Sequence, residues 1–284
     1  MNESVTKYWD IIVKPKTNFF NTNLLEVLKY KDLIFLFVKR DFTSVYRQTI
    51  LGPLWYIIQP IVTTITFSII FGSIAKIPTE GLPAPLFYVC GLTIWNFFSA
   101  CITKSSSIFV ANASVFGKVY FPRLTVPISN TISNFISFGI QLLILMSFWI
   151  YYKKDSNYDI QYLHLLFLPV LLFFIAVLGT SFGILISAVT TKYRDFSFLL
   201  GFAIQLFMYM SPIIYSMGFV TGKMTYVMLF NPVSDFIEYF RYIFTGVGTV
   251  NYDMMMYKII FVIFIFILST MIFNKTEKSF MDTV

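Results

Sequence analysis

Charge-free stretches divide the chain into a series of apolar intervals. Six intervals contain no Asp, Glu, Lys or Arg: 48–75, 81–103, 124–152, 160–191, 196–222 and 259–274. Each of the first five exceeds the ~20 residues that a helix needs to cross the hydrocarbon core of a bilayer. The sixth is long enough if the Lys258 side chain snorkels to the interface. The pattern therefore predicts an all-α membrane protein with six transmembrane helices.

A basic, amphipathic segment precedes the first apolar interval. Residues 24–47 mix leucine and phenylalanine with Lys39, Arg40 and Arg47, which is typical of a helix that lies on an anionic membrane leaflet. A soluble surface helix is the alternative, and the adjoining apolar span favours the membrane. We therefore predict an N-terminal amphipathic interfacial helix that turns, at Gly52-Pro53, into the first span.

The segment between the fifth and sixth intervals is half apolar but interrupted. Residues 219–253 contain Asn231-Pro232, followed by a run of aromatic and aliphatic residues. Proline lacks an N–H and clashes with the preceding helical turn, so this run is too broken to span a bilayer. We predict short re-entrant helices that dip into the outer leaflet and pack on protein.

Small residues recur at a spacing of four in the fourth apolar interval. Gly179, Gly183 and Ser187 share one face of the predicted helix, and such a row permits a second helix to approach closely. Packing within the chain and dimerisation are both compatible with this pattern.

The distribution of Lys and Arg predicts the orientation of the spans. With the N-terminus inside, the inner segments hold fifteen of these residues and the outer segments six. Basic residues collect on the cytoplasmic side of membrane proteins, so both termini are predicted to be cytoplasmic. The predicted domains are a cytoplasmic N-terminal segment with the interfacial helix at 1–50, a six-span domain at 51–274 and a cytoplasmic tail at 275–284.

Composition agrees with a chain that is embedded in a bilayer. Of 284 residues, 57% are hydrophobic and 12% are charged, whereas soluble domains carry about 25% charged residues. The net charge of +7 is explained by basic residues that flank the spans, and we expect no nucleic-acid partner. The first twenty residues lack the apolar core of a cleavable signal peptide.

Motifs for catalysis and nucleotide binding are missing from the sequence. Gly117-Lys118 and Gly222-Lys223 lack the upstream glycine of a P-loop and are followed by Val and Met. His164 is the only histidine, which excludes a histidine-based metal cluster. The apolar intervals also carry none of the charges that ion-coupled transporters usually need. Uphill transport by this chain would therefore draw its energy from a partner.

Aromatic residues make up 20% of the chain. Most are expected to face lipid or to form the interfacial belt of a membrane protein. Tyr and Trp combine an apolar face with a hydrogen-bonding tip, which also suits sliding contact with sugar rings. The candidates for such a substrate path are Trp55, Tyr56, Trp95, Tyr209 and Tyr215.

Several local motifs occur in order along residues 12–274, at the boundaries of the predicted spans. They are Val13-Lys14-Pro15, Arg40-Asp41, Tyr46-Arg47-Gln48-Thr49, Leu51-Gly52-Pro53-Leu54-Trp55, Gln59-Pro60, Phe71-Gly72, Lys76-Ile77-Pro78, Lys118-Val119-Tyr120-Phe121-Pro122-Arg123-Leu124 with Pro127, Tyr193-Arg194-Asp195, Ser211-Pro212-Ile213-Ile214-Tyr215, and Asn231-Pro232 with Glu238 and Arg241. Together these motifs resemble the membrane subunits of ABC transporters that export bacterial polysaccharides.

The resemblance implies a homodimer of six-span subunits in the bacterial cytoplasmic (inner) membrane, in contact with membrane lipids. Two cytoplasmic ABC ATPase subunits, which bind ATP and Mg²⁺, are implied as partners, and no cofactor is expected in the chain itself. The implied substrate is a lipid-linked glycan, with O-antigen foremost and capsule or teichoic acid as alternatives.

The resemblance also implies roles for two groups of residues. ATPase docking is implied for the inner loop 104–123 and the motif at Tyr193, through Phe116, Lys118, Tyr120, Phe121, Arg123, Tyr193, Arg194 and Asp195. Aromatic and arginine side chains often dominate interface energy, which also favours that loop. An outer gate is implied for Asn231, Pro232, Glu238 and Arg241.

A membrane-embedded enzyme of glycan assembly, such as a polymerase or an acyltransferase, is the alternative function. The lack of a catalytic constellation in the sequence argues against it. A gene for an ATPase beside this one would favour the transporter.

Overall fold

The computed structural model describes residues 27, 29–46, 51–119, 121–153, 159–193 and 195–281, and every regular element in them is helical. The helices are α1 (Lys31–Tyr46), α2 (Trp55–Phe67, continued as a π-helix over Ser68–Ile74), α3 (Ala84–Ser106), α4 (Ile108–Ala111), α5 (Ala113–Phe116), α6 (Thr125–Lys153), α7 (Tyr162–Leu165), α8 (Leu168–Thr190), α9 (Phe196–Tyr209), α10 (Lys223–Phe230), α11 (Ser234–Thr245) and α12 (Tyr252–Met281). Two 3-10 turns lie at Gly52–Leu54 and Met217–Phe219. The predicted all-α class is confirmed.

Within the residues that the structure describes, five helical segments are long and apolar enough to cross a membrane. They are Trp55–Ile74, Ala84–Ser106, Thr125–Lys153, Leu168–Thr190 and Tyr252–Glu277. The chain is therefore a multi-pass membrane protein. The last of these segments is longer than the predicted interval 259–274, because Tyr252 to Lys258 are also helical.

The fifth predicted span is shorter than expected. Helix α9 covers fourteen residues, which is about 21 Å at 1.5 Å per residue, and a hydrocarbon core is ~30 Å thick. The helix ends before Ser211-Pro212 because proline has no N–H and disfavours the helical conformation of the residue before it. The count of six spans and the re-entrant character of α10 and α11 stay predictions.

Helix α3 forms the centre of the fold. Most of its residues are buried, and it packs against α8, α6, α11 and α2. Polar side chains pin α6 to it in antiparallel order, since the Asn96 amide donates to Gln141 at 3.1 Å and the Asn130 amide donates to the carbonyl of Lys104 at 3.4 Å. The main hydrophobic core is therefore assembled around α3.

The small-residue row on α8 faces α3. A Cβ atom on Gly183 would lie 2.4 Å from Cβ of Ser105 and 2.6 Å from the carbonyl oxygen of Ile102. A Cβ atom on Gly179 would lie 2.7 Å from Cβ of Cys101. Of the two interpretations of this row, packing within the chain is therefore the one that the structure supports.

Helix α1 joins the fold at the opposite end from α11. Its Phe37 ring is buried and lies 5.8 Å from the ring of Phe121. Lys39 and Arg40 are on its exposed side, and Nη1 of Arg40 donates to Oδ1 of Asn112 at 3.2 Å. Arg47 lies outside the described residues. The position of α1 at a membrane interface and the domain boundaries stay predictions.

Candidate functional site

A buried ion pair lies on α11, next to the break that ends α9. Nη1 of Arg241 donates to Oε2 of Glu238 at 2.9 Å, and neither side chain is more than 1% exposed. Nη2 of Arg241 donates to the carbonyl oxygen of Pro212 at 2.7 Å. The guanidinium also lies 3.8 Å from the centroid of the Phe87 ring on α3. A buried charge is costly unless it is paired and hydrogen-bonded, and Arg241 meets both conditions.

Asn231 also forms hydrogen bonds with the residues at this break. Its Nδ2 donates to the carbonyl oxygen of Met210 and to Oγ of Ser211, each at 3.0 Å. Its Oδ1 accepts from the backbone N–H of Val233 at 3.0 Å, at the start of α11. Backbone groups that a broken helix leaves without partners need such substitutes in a membrane. The structure thus brings the motifs at Ser211-Pro212, Asn231 and Arg241 together in one site.

Glu238 links this site to the following turn. Its Oε1 accepts from the backbone N–H of Met217 at 2.7 Å. Burial raises the pKa of the Glu238 carboxyl above its usual range, while the Arg241 guanidinium and the Met217 N–H lower it. The Glu80 carboxylate is near enough to raise the pKa of Glu238 further.

A second buried ion pair on α11 corrects the expectation for Lys258. Nζ of Lys258 forms an ion pair with Asp235 and contacts Oγ of Ser234, and the lysine is buried. Snorkelling to the interface was therefore the wrong prediction. Asp235, Glu238 and Arg241 are three residues apart, a spacing that places them on one face of a helix. That spacing is the sequence signal that was missed.

The residues predicted to dock an ATPase divide into buried and exposed groups. Phe116 and Phe121 lie within a cluster of buried side chains formed by Phe37, Ile108, Phe109, Phe116, Phe121, Val126, Ile184 and Phe273. Arg123 stacks 5.4 Å from the Phe116 ring, and its Nη1 donates to the carbonyl oxygen of Glu277 at 3.0 Å.

Three of the docking candidates are exposed. They are Lys118, Tyr193 and Asp195. Lys118 and Val119 line a cavity of about 220 Å³, whose walls include Phe116, Phe121 and Arg123. Tyr120 and Arg194 lie outside the described residues.

The predicted path residues do not form one surface. Trp95 is buried, with its ring 5.6 Å from Phe98 and 5.7 Å from Phe207, so it belongs to the core. Trp55 begins α2 and is half-exposed, and Tyr56 is partly exposed.

Tyr209 and Tyr215 lie near the opposite end of the crossing from Trp55. Tyr209 is exposed at the end of α9, and the Tyr215 hydroxyl donates to its carbonyl oxygen at 3.4 Å. At the other end of the α2 crossing, Phe71 packs on Tyr88, in the first turns of α3. The neighbouring Phe87 contacts Arg241, so the Arg241 site lies at this end. Trp55 and Tyr56, at the start of α2, are therefore separated from the two tyrosines by the length of a span.

Metal ligation finds no support in the described parts of the chain, where no three His, Cys, Asp or Glu side chains group as a candidate metal site.

Comparisons with known proteins agree with these motifs. A family model described as "ABC-2 type transporter" matches residues 32–245. The chain is 24% identical over 251 residues to the O-antigen export system permease protein RfbA of Klebsiella pneumoniae, covering 88% of this chain and 94% of that protein. It is 20% identical over 222 residues to the protein of the same name from Myxococcus xanthus, covering 77% of this chain and 82% of that protein.

Proposed function

The chain belongs to the ABC-2 type transporter family, and we propose that it is the membrane subunit of an ATP-driven exporter of lipid-linked polysaccharide. O-antigen is the foremost substrate because the similar permeases are named for its export, and capsule or teichoic acid are the alternatives. Its sequence has no P-loop, so two partner ATPase subunits would supply the energy to a homodimer. The bacterial cytoplasmic membrane is the proposed location.

The observation that carries the proposal is the broken helix at Ser211-Pro212. Two carbonyl oxygens at this break accept hydrogen bonds from side chains of a different part of the chain. Arg241 donates to the carbonyl of Pro212, and Asn231 donates to the carbonyl of Met210. Membrane proteins keep irregular backbone at depth where it packs on protein or lines a polar path, and transporters use discontinuous helices for this purpose. We propose that residues 211–219 and α11 form the outer gate, with Asn231, Pro232, Glu238 and Arg241 in it.

The directions of α8 and α12 support six crossings. Leu171 and Ile259, in the first halves of the two helices, line one cavity, and Ile184 and Phe273, in the second halves, lie in one cluster. Both helices therefore run the same way, which supports a return crossing by the chain between them. We propose that α9 and residues 210–216 make this return as the fifth of six crossings.

Export is the direct test of this function. Deleting the gene should abolish surface polysaccharide and leave lipid-linked polymer inside the cell, and loss of the partner ATPase should have the same effect. The measurement is surface and total glycan after extraction of each fraction. A deletion strain that makes no lipid-linked polymer would instead support an enzyme of glycan assembly.

ATPase docking is proposed for the exposed residues at the inner end. Tyr193→Ala combined with Lys118→Glu should reduce co-purification of the ATPase, since truncating an interface anchor costs about 2 kcal/mol or more. The thermal midpoint in detergent should not change, because both side chains are exposed. Phe121→Ala is the contrasting control, and it should lower that midpoint because core Phe→Ala changes cost about 3–5 kcal/mol. Normal co-purification of the double variant would contradict this docking surface.

Orientation can be tested by cysteine labelling. Cys90 and Cys101 are buried, so an added cysteine is the one expected to react. A membrane-impermeant thiol reagent should label Asp159→Cys but not Lys118→Cys in intact cells, and both after permeabilisation. Both positions are exposed, whereas Asn112, in the same loop as Lys118, is buried against Arg40. The opposite labelling pattern would overturn the cytoplasmic location of the termini.

A further inference from the structure

The turn between α2 and α3 contacts the proposed gate through one carboxyl group. Oε1 of Glu80 is hydrogen-bonded to Oγ of Ser216. The same hydroxyl oxygen accepts from the backbone N–H of Gly218 at 3.2 Å. Glu80 therefore joins residues 76–83 to residues 216–218, which are far apart in sequence.

Two features of the turn that carries Glu80 are energetically unfavourable. Glu80 has a φ angle of +55° and Lys76 one of +50°, in the left-handed region that non-glycine residues rarely adopt. Oε2 of Glu80 is buried without a hydrogen-bond partner, which is unfavourable for a carboxyl oxygen. Strained residues of this kind persist where the surrounding structure holds them, often in elements that switch.

Glycines make room for the carboxyl groups. A Cβ atom on Gly218 would lie 2.7 Å from Oε1 of Glu80. A Cβ atom on Gly248 would lie 3.3 Å from Oε2 of Glu238 and 3.9 Å from Oε2 of Glu80. The two carboxyl groups thus converge on one glycine, while the guanidinium of Arg241 pairs with Glu238. Like charges at such range repel each other, so the attraction of Glu80 to Ser216 is opposed by Glu238.

We propose that Glu80 is a positioning residue for export: docked on Ser216, it fastens residues 211–219 to the turn between α2 and α3. Release of Glu80 frees this segment to move away from α2 while Arg241 and Asn231 keep it attached to α11. Repulsion from Glu238 weakens the contact between Glu80 and Ser216, so that Glu80 is released readily. This inference rests on the proposed export function. It means that the outer gate contacts the turn that follows the first span.

The test compares two substitutions of Glu80 in cells that carry the whole exporter. Glu80→Gln retains an acceptor for Ser216, removes the repulsion and can donate to Glu238, so it should tighten the contact and slow surface appearance of pulse-labelled glycan. We expect the rate of surface appearance to fall about tenfold, which corresponds to one added hydrogen bond to a charged group. Glu80→Ala cannot dock and should export at the wild-type rate or faster. Asp253→Asn, an exposed carboxylate at the same end, should have no effect.

A purely structural role for Glu80 gives the opposite order, because alanine removes the contact and glutamine preserves it. Export that is slower in Glu80→Ala than in Glu80→Gln would therefore overturn the proposal.

A cysteine pair tests the contact without removing it. Cross-linking the Glu80→Cys, Ser216→Cys variant with a short bifunctional methanethiosulfonate should stop export and reduction should restore it, while either single variant should not respond. Unchanged export with the pair fully cross-linked would also overturn the role of Glu80. Failure of the proposed export function can be told apart from both results. In that case the deletion strain would carry normal surface glycan.

Discussion

Replacing Arg241 by Met should destabilise the folded chain by about 3–5 kcal/mol, because removing one partner of a buried pair leaves an uncompensated charge. The change strands the Glu238 carboxylate, which is 1% exposed, and frees the carbonyl oxygen of Pro212. Methionine fills much of the same space beside the Phe87 ring, so the loss is electrostatic and not a cavity effect. The measurement is the free energy of unfolding in mixed micelles.

A second substitution should restore much of the lost stability. In the Arg241→Met, Glu238→Gln variant neither of these two positions carries a charge, and the glutamine oxygen can still accept from the Met217 N–H. The remaining cost is the unpaired Pro212 carbonyl, about 1–3 kcal/mol. A double variant that is less stable than Arg241→Met alone would contradict this account of the pair.

The Arg241→Met variant should also lose stability as the pH rises. Burial raises the pKa of Glu238, and Arg241 is the largest cause that lowers it. Without Arg241, the folded pKa lies further above the unfolded value, so folding takes up a proton between the two values. This contribution to stability is fully present below the unfolded pKa and is lost as the pH rises from that value through the folded pKa, so the variant should be more stable at about pH 5 than at about pH 8. The double variant should lack this pH dependence.

Adding a methyl group to Gly183 should have the second large effect. In Gly183→Ala, Cβ would lie 2.6 Å from the Ile102 carbonyl oxygen and 2.4 Å from Cβ of Ser105. Backbone cannot rotate away as a flexible side chain can, so α8 must move off α3. Overpacking of this kind costs about 1–3 kcal/mol or more, and we expect the upper end of that range.

Gly201→Ala is the matched control for Gly183→Ala. Gly201 is also helical, and nothing lies within 4 Å of an added Cβ atom there. In an open helical position the change from glycine to alanine is favourable by up to about 1 kcal/mol. The two variants should therefore differ in sign, and a destabilised Gly201→Ala would point to a contact of α9 with another chain.

The arrangement of crossings could be predicted from the sequence in most respects. A helix that crosses lipid must be long and apolar, and both properties can be judged from one continuous stretch of sequence. All five segments that are long enough to span overlap predicted intervals. Ser211-Pro212 lies inside the predicted interval 196–222, and proline ends a helix through its own backbone, without a distant partner. What length and apolarity could not reveal is that α9 ends after fourteen residues.

The residues of the site were predicted unevenly. Glu238 and Arg241 were identified through motifs, but their bond to each other and to Pro212 was not. Glu80 and Ser216 carry no motif that relates them, since 136 positions separate them. The family resemblance and the aromatic residue type suggested docking roles for Phe116 and Phe121, which the structure places inside a hydrophobic cluster.

The sequence by itself determined the class of protein, its family motifs and its apolar segments, because the bilayer acts on each stretch of chain independently. The tertiary structure alone decided which polar groups meet: Glu80 with Ser216, Arg241 with Pro212, and Asp235 with Lys258. It also decided that the glycines of α8 face α3 and that Trp95 packs in the core. The physical reason is that a buried charge or a close helix approach is stable only with a specific partner. That partner comes from a different element, whose position depends on the packing of the whole chain.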